Sequence, residues 1–336
     1  MDQQAPVTPE RLMQFAWGYA PPLILEAALR NKVFDQLEAG PKTIAETAAV
    51  TGASERGLKA IMNALVGLGF LKKSGDRYEL TPESATFLVS TKPTFMGGMV
   101  SHTSQQLIPH WLHLTEVVTT GKPDTSVNAE GPGSAFFQEL VSNIFPMSYG
   151  PAKALAAHLD LGPSGSPVRV LDLAAGSGVW GIAIAQSSPR VAVTAVDWPG
   201  VLPITQKTAA KFGLANRFTF TPGDLLVADF GSGYNVATLG HILHSEGEER
   251  SKKLLSKVFD ALAPGGTIAI QEFLVNNDRT GPPMGLIFAV NMLIHTDVGD
   301  TYSFEQIAAW LREAGFKDPR QIEAPGPSPL ILATKP

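Results

Sequence analysis

The 336-residue chain has no cysteine, which excludes disulfides and thiolate chemistry and leaves nothing that points to an oxidising compartment. Long apolar runs are missing too. None approaches the roughly 20 residues a membrane helix needs, and Met1 to Glu10 lacks a signal-peptide pattern. The expectation is a cytoplasmic protein with no membrane partner. Positive charge is short: 26 Lys and Arg against 31 Asp and Glu leave a net charge of −5. That balance disfavours nucleic acid as a partner, although a local basic patch stays compatible with it. No His-Glu-x-x-His pattern occurs, so no metal is expected. There are no repeats or low-complexity tracts. What is present is 44% hydrophobic residues, enough for two cores, one small and one larger.

The most informative stretch is Val168 to Gly181, VRVLDLAAGSGVWG. Val168 to Leu173 is an apolar run that predicts a buried parallel strand, with Asp172 near its carboxyl end. Ala174 to Gly178 is a small-residue loop that lets bare backbone approach a ligand, and Val179 onward predicts a helix whose N-terminus faces that ligand. A second apolar run, Val191 to Val196, ends in Asp197 about 20 residues beyond the loop, where nucleotide-binding folds place a ribose-binding carboxylate. A nucleoside site follows. Gly176, Gly178 and Gly181 also spell G-x-G-x-x-G, so a nicotinamide dinucleotide is one reading. A carboxylate at Asp172 would repel a pyrophosphate over this loop. It would instead suit the ammonium and sulfonium of S-adenosylmethionine.

Later landmarks agree. Phe218-Thr219-Phe220 predicts a third strand, followed by Gly223-Asp224-Leu225, whose acid suits an adenine amino group. Tyr234 to Leu239 predicts a fourth strand. Leu262 to Gly266 reads as a tight turn before a fifth, Thr267 to Phe273. His244, just past the fourth strand, lies where open α/β sheets assemble their sites. With an unperturbed pKa near about 6.5, histidine can take a hydroxyl proton at neutral pH. A helix-cap or core histidine is the plainer alternative.

These residues carry a family resemblance over nearly the whole chain, from about Met13 to Leu332. The sequence resembles small-molecule O-methyltransferases with a winged-helix dimerisation domain, a group that includes plant phenolic and bacterial polyketide enzymes. The family's DVGGGxG appears as Asp172 to Gly178, its DLP as Asp197-Trp198-Pro199, and its GD(M/L)F as Gly223-Asp224-Leu225-Leu226. Its K-x-x-L-H-D-W appears as Gly240 to Glu246. The resemblance implies an α/β fold: a Rossmann-like domain with a mostly parallel seven-stranded sheet and an antiparallel last strand. It further implies an N-terminal, mainly helical winged-helix domain and a homodimer. The expected divisions are 1–100 for the dimerisation domain, 101–160 for a helical connector and 161–336 for the cofactor domain. S-adenosylmethionine would be held by Asp172, Ala174, Gly176, Asp197, Trp198, Asp224, Leu225 and Gly240. His244 is the expected general base. Glu272, at the end of the fifth strand, or Asp300 would orient it. The chain departs from the family at Gly240, where a lysine is usual, and at Ser245-Glu246, where Asp-Trp is usual.

The N-terminal third fits this reading. Thr43-Ile44-Ala45-Glu46 is a capping-box signature. Ser54 to Phe70 predicts a helix with Leu58, Ile61, Met62, Leu65 and Leu68 at helical spacing, and Lys72 to Leu80 a hairpin wing. Only Arg56 and Lys59 on that helix are basic, so the expected role is scaffold and dimerisation rather than DNA reading. His102, His110 and His113 tempt a metal reading, but His110 and His113 read as partly exposed helix side chains. Gly121 to Gly133 reads as a surface loop, and Phe136 to Leu159 as a long connector helix whose Phe145, Met147 and Tyr149 either cover the cofactor or pack as core. The acceptor pocket is expected between domains, lined by His102, Trp111, Phe288, Asn291, Met292 and His295, an apolar surround suited to an aromatic or polyketide-like molecule. C- or N-methylation, or a non-methylating reaction on the same fold, stays open at this point, as do two other classes: a DNA-binding metabolite sensor and a nicotinamide oxidoreductase.

Overall fold

The computed structural model describes residues 7–128 and 130–336. The first six residues of the segment read as lacking a leader pattern lie outside them. The chain divides into two compact units, Met1–Ile108 and Pro109–Pro336.

The first unit is a small helical body with a two-stranded wing. The predicted capping box is formed: Thr43 Oγ1 accepts from the Glu46 amide, and Glu46 accepts from the Thr43 amide at 2.7 Å. Ser54 caps the helix Glu55–Gly67, whose Leu58, Met62 and Leu65 are buried, while Leu68 lies outside its end and is 40% exposed. Strands β1 (Leu71–Ser74) and β2 (Arg77–Leu80) pair antiparallel across the Gly75-Asp76 turn. The core of this unit joins Phe34, Leu37 and Tyr78 to that helix. The helix Glu10–Ala16 buries no residue.

The second unit is a seven-stranded sheet. Its strands are β3 (Val168–Leu173), β4 (Val191–Asp197), β5 (Phe218–Pro222), β6 (Tyr234–Gly240), β7 (Leu262–Gln271), β8 (Lys317–Ile322) and β9 (Leu330–Thr334). They lie in the order β5-β4-β3-β6-β7-β9-β8, all parallel except β9. The sheet has helices on both faces, so its central strands β3 and β6 are buried along most of their length rather than alternating. Alternate residues of β3 serve opposite faces: Val168 and Val170 join one buried cluster, Leu171 and Leu173 the other. The helix Val179–Ser187 has seven consecutive buried residues from Val179 to Ala185, as a helix covered on nearly all sides must.

Some boundaries differ from expectation. β7 starts at Leu262 because Leu262 already pairs with Tyr234 across a bulge. The segment expected as a loop to Gly133 turns helical at Glu130. The expected single connector helix is two, Glu130–Asn143 and Phe145–Leu159. The break falls at Ile144, and Pro146, which has no amide hydrogen to continue the first helix, sits in the first turn of the second.

The chain runs β3, β4, β5 outward on one side, then returns to place β6 on the other side of β3. That reversal opens a crevice at the carboxyl ends of β3 and β6, where ligands bind in open α/β sheets.

Candidate active site

At the end of β3 the chain turns sharply, with Ala174, Gly176 and Gly178 in the left-handed region at φ 49°, 55° and 76°. Glycine adopts this backbone without steric cost; Ala174 does so at some strain. The Gly176 amide donates to Asp197 Oδ2 at 2.8 Å, and the Trp198 amide to Asp197 Oδ1 at 2.7 Å. Asp197, half-buried at the end of β4, is therefore oriented by two backbone donors, and each oxygen keeps a second acceptor direction. Burial pushes its pKa up to about 6. The half-buried Trp198 next to it meets the ring of Phe137 edge-on at 5.7 Å.

Asp172 does something other than expected. It is fully buried and lies beneath the loop, not at its surface. Its carboxylate accepts from Thr238 Oγ1 at 2.8 Å and from the Gly181 amide at 3.0 Å, tying β3, β6 and the first turn of the helix together. Burial raises its pKa to about 7, and the nearby Asp197 charge adds to the rise. The expected contact with a cationic ligand is thus replaced by bracing of the loop, because a carboxylate between two strands has no ligand-facing surface. A Cβ on Gly181 would lie 2.7 Å from Val193 Cγ1 and 3.0 Å from Asp172 Oδ2, so the third glycine is there for packing.

Beyond β5, Asp224 is half-buried and Leu225 is in the core at 7% exposure. Asp224 Oδ1 accepts from the Leu226 amide at 2.8 Å, and Oδ2 from Arg250 Nη2 at 2.7 Å. Gly240 closes β6. A Cβ there would lie 2.1 Å from Trp180 Nε1, so the indole occupies the room that the family's lysine stem would need. That is the physical reason for the departure at this position.

His241 follows in the left-handed region at φ 58°. Burial lowers its pKa to about 4, which leaves it neutral. Its Nδ1 and Ser328 Oγ are buried without a hydrogen-bond partner among the described residues, and both side chains line a cavity of about 20 Å³ with Ser148 and Gln271. That is room for one water. Met147 lines the same cavity. Phe145 and Tyr149, the other two considered as a cofactor cover, pack instead against Phe212.

His244 lies in a helical turn that breaks at Gly247, φ 75°, before the helix continues to Ala261. Its Nδ1 is 2.7 Å from Glu272 Oε2, and its amide donates to Glu272 Oε1 at 3.2 Å. Both are buried, at 8% and 2% exposure. Burial pushes the Glu272 carboxyl upward, but the His244 charge and hydrogen bond outweigh it and hold Glu272 below the usual range. Asp300 turns its carboxylate elsewhere, to Arg279 at 3.1 Å from each of two nitrogens. Only its backbone amide reaches the histidine, at the His244 carbonyl. His241, His244 and Glu272 also form a trio of possible metal ligands within 4.8 Å of one another. Its two histidines follow β6 and its glutamate follows β7, so the trio forms only where those two strand ends meet.

The expected acceptor face is only partly assembled. Phe288, in the helix Pro283–His295, meets the His244 ring edge-on at 4.9 Å and Phe273 at 4.3 Å. Asn291 accepts from Trp111 Nε1 at 3.0 Å. Met292 and His295 are buried at 5% and 1%, so they pack the helix rather than offer a surface, and His295 Nδ1 bonds the Asn291 carbonyl. His102 belongs to the first unit, buried and paired with Gln106. His110 and His113 do find a carboxylate: each reaches one oxygen of Asp124, which arrives from the following loop. Those hydrogen bonds, the one from His110 foremost, lower the Asp124 pKa. Sequence reading missed Thr238, Trp180 and Arg250. Arg250 alone left a signal, one helical turn after Glu246.

Comparison with known proteins bears on this arrangement. Residues 155–317 match the O-methyltransferase domain and residues 13–90 the O-methyltransferase dimerisation domain. The chain is 31% identical to 3-hydroxy-5-methyl-1-naphthoate 3-O-methyltransferase of Streptomyces sahachiroi, over 97% of this chain and 95% of that one. It is 27% identical to the tetracenomycin polyketide synthesis 8-O-methyl transferase TcmO of Streptomyces glaucescens, over 98% and 97%. The solved structure of PigF with SAH superposes with a TM-score of 0.82 at 26% identity, covering 98% of this chain and 100% of that one. With the glycine loop, the acid at the end of β4 and both domains matched in order, the chain belongs to the S-adenosylmethionine-dependent O-methyltransferases of secondary-metabolite type.

Proposed function

We propose that this enzyme methylates a hydroxyl of an aromatic or polyketide-like small molecule, with His244 as general base and Glu272 as the residue that orients it. The observation that carries the reading is the buried 2.7 Å contact between His244 Nδ1 and Glu272 Oε2. A carboxylate held below its usual range is ionised and only accepts hydrogen bonds, so Nδ1 must be the donor. In the neutral imidazole the lone pair then sits on Nε2, free to take a hydroxyl proton. Phe273 and Phe288 wall the ring with apolar surface, which favours an aromatic acceptor over a sugar. The first two relatives are named for naphthoate and tetracenomycin chemistry, in keeping with such an acceptor.

S-adenosylmethionine, when bound, supplies an electrophilic methyl group on a sulfonium. The chain's task is to align the oxygen and remove its proton. The residues at the crevice fit this cofactor: Asp197 has a free acceptor direction on each oxygen for ribose hydroxyls, and the left-handed backbone at Gly176 and Gly178 opens the loop to close approach. Trp198, Asp224 and Leu225 would line the adenine side, with Ala174 and Gly240 at the carboxyl ends of β3 and β6. The functional assembly is a homodimer formed through the N-terminal helices.

General-base help is worth about 10²–10⁴-fold, so His244→Ala is expected to lower single-turnover methyl transfer by that factor while cofactor affinity stays close to wild type. Glu272→Gln is expected to show a smaller loss, because the imidazole keeps its place but loses its charged partner. If His244→Ala keeps turnover within about threefold of wild type, alignment alone accounts for the rate and the base assignment is wrong.

A further inference from the structure

Arg250 bridges two carboxylates. Its Nη2 donates to Asp224 Oδ2 at 2.7 Å and its Nε to Glu246 Oε2 at 2.6 Å. The other Asp224 oxygen is held by the Leu226 amide at 2.8 Å. Each oxygen of Asp224 therefore has one fixed donor, and the carboxylate cannot rotate without losing one of them. Each also keeps one acceptor direction open. Lys257, two turns further along the same helix, caps the Leu225 and Ala228 carbonyls. The helix thus pins the whole turn that follows β5 through two cations.

Glu246 makes the arginine's presence matter. It is 9% exposed, standing where the family usually has tryptophan. Burial raises its pKa, and the negative charge of Asp224 raises it further. The planar guanidinium lies between the two acids and serves each with a different nitrogen.

We infer that Arg250 is a positioning residue for adenine selectivity: by bridging Glu246 and Asp224 it holds the Asp224 carboxylate aimed to accept the exocyclic amino group. This rests on reading Asp224 as the adenine acceptor. Adenine presents an N–H donor at that position, whereas hypoxanthine presents an oxygen that a carboxylate repels. Without Arg250, Asp224 keeps only the Leu226 amide on one oxygen and swings, so it no longer presents a fixed acceptor to the amino group and no longer discriminates.

The test is calorimetric binding of S-adenosylhomocysteine and S-inosylhomocysteine to wild type, Arg250→Gln, Arg250→Lys and Asp224→Asn. One charge-assisted hydrogen bond is worth roughly 10- to 100-fold, so wild type is expected to prefer the adenine compound by about that ratio. Arg250→Gln is expected to bring the ratio below about threefold, and Arg250→Lys to restore part of it. Preserved selectivity in Arg250→Gln, with loss in Asp224→Asn, would overturn the arginine's part and leave the Asp224 reading standing. Equal weakening of both compounds in Arg250→Gln also overturns it, as a general structural effect. Full selectivity in Asp224→Asn removes the Asp224 reading and this inference with it. Should Arg250→Gln fail to fold, the Arg250→Lys ratio decides: an intermediate ratio supports the bridge, and a ratio equal to wild type, with Asp224→Asn no longer selective, overturns it.

Discussion

Asp172 and Asp197 show how neighbouring carboxylates on one sheet edge acquire different tasks. Asp172 is sealed under the glycine loop, Asp197 is oriented by two amides at its rim, and burial raises both, to about 7 and about 6. The signs have opposite consequences for the free and the liganded protein. An acid whose folded pKa lies above its unfolded value, near 3.9 for aspartate, favours folding most at low pH. That contribution is lost as pH rises through the folded value. In the proposed ribose-binding role Asp197 must be ionised, so cofactor binding is expected to strengthen over the same range. Cofactor affinity is accordingly expected to fall about tenfold per pH unit below pH 6, and the rise in melting temperature on adding S-adenosylhomocysteine to grow between pH 5 and 7.5. Asp197→Asn should flatten much of this dependence and weaken binding roughly 10- to 1,000-fold, the loss of one or two charge-assisted bonds. Titration calorimetry across that pH range measures both. A wild-type affinity independent of pH would show that the Asp197 charge is not what the cofactor meets.

At the scale of elements, the strand–loop–helix unit from Val168 to Ser187 depends on contact distances that a single methyl group disturbs. Gly181 faces Val193 and the Asp172 carboxylate inside van der Waals separation of any added Cβ. Gly181→Ala is expected to cost about 1–3 kcal/mol, the usual penalty of overpacking a dense core, and to disturb the Asp172 hydrogen bond that steadies the loop. Gly67, at the end of the helix Glu55–Gly67, has nothing within 4 Å of an added Cβ and no left-handed backbone. Gly67→Ala is expected to be neutral or stabilising by about 0.5–1 kcal/mol. Denaturant melts of the two variants compare them directly. Equal stability would mean that the loop relaxes around the methyl and that Gly181 has another use.

For the whole molecule, the first unit leaves a row of large apolar side chains uncovered: Leu12, Phe15, Trp17 and Tyr19 are 72%, 70%, 62% and 57% exposed. The helix that carries the first two has no buried residue of its own. A patch of this kind marks an interaction surface, and a two-fold contact between identical helices is the simplest way to cover it. The protein is expected to behave as a homodimer in light scattering at micromolar concentration. Phe15→Glu combined with Trp17→Glu should shift it toward monomer. A monomeric wild type under those conditions would require a different partner for the patch.

Elements whose signal is local were legible in the sequence. The capping box at Thr43, the wing turn, the glycine loop and the apolar strands depend on neighbours within a few residues, through backbone conformation, side-chain caps and hydrophobic period. The family resemblance supplied the mostly parallel seven-stranded sheet with its antiparallel last strand and singled out His244 and Glu272 as candidates. Other features depended on which distant segments meet. Nothing near Asp172 in sequence says that Thr238 lies opposite it across β3 and β6, so a buried brace read as a ligand-facing acid. Gly240 read as a departure until Trp180 was seen to fill its place. Asp124 joined His110 and His113, and Arg250 took Asp224, because folding brings loops and helix faces together over separations that no period encodes. Burial decides the rest: a carboxylate has the same letter in the core and at the rim, and only the tertiary structure sets how much water it keeps, and with that its charge and its use.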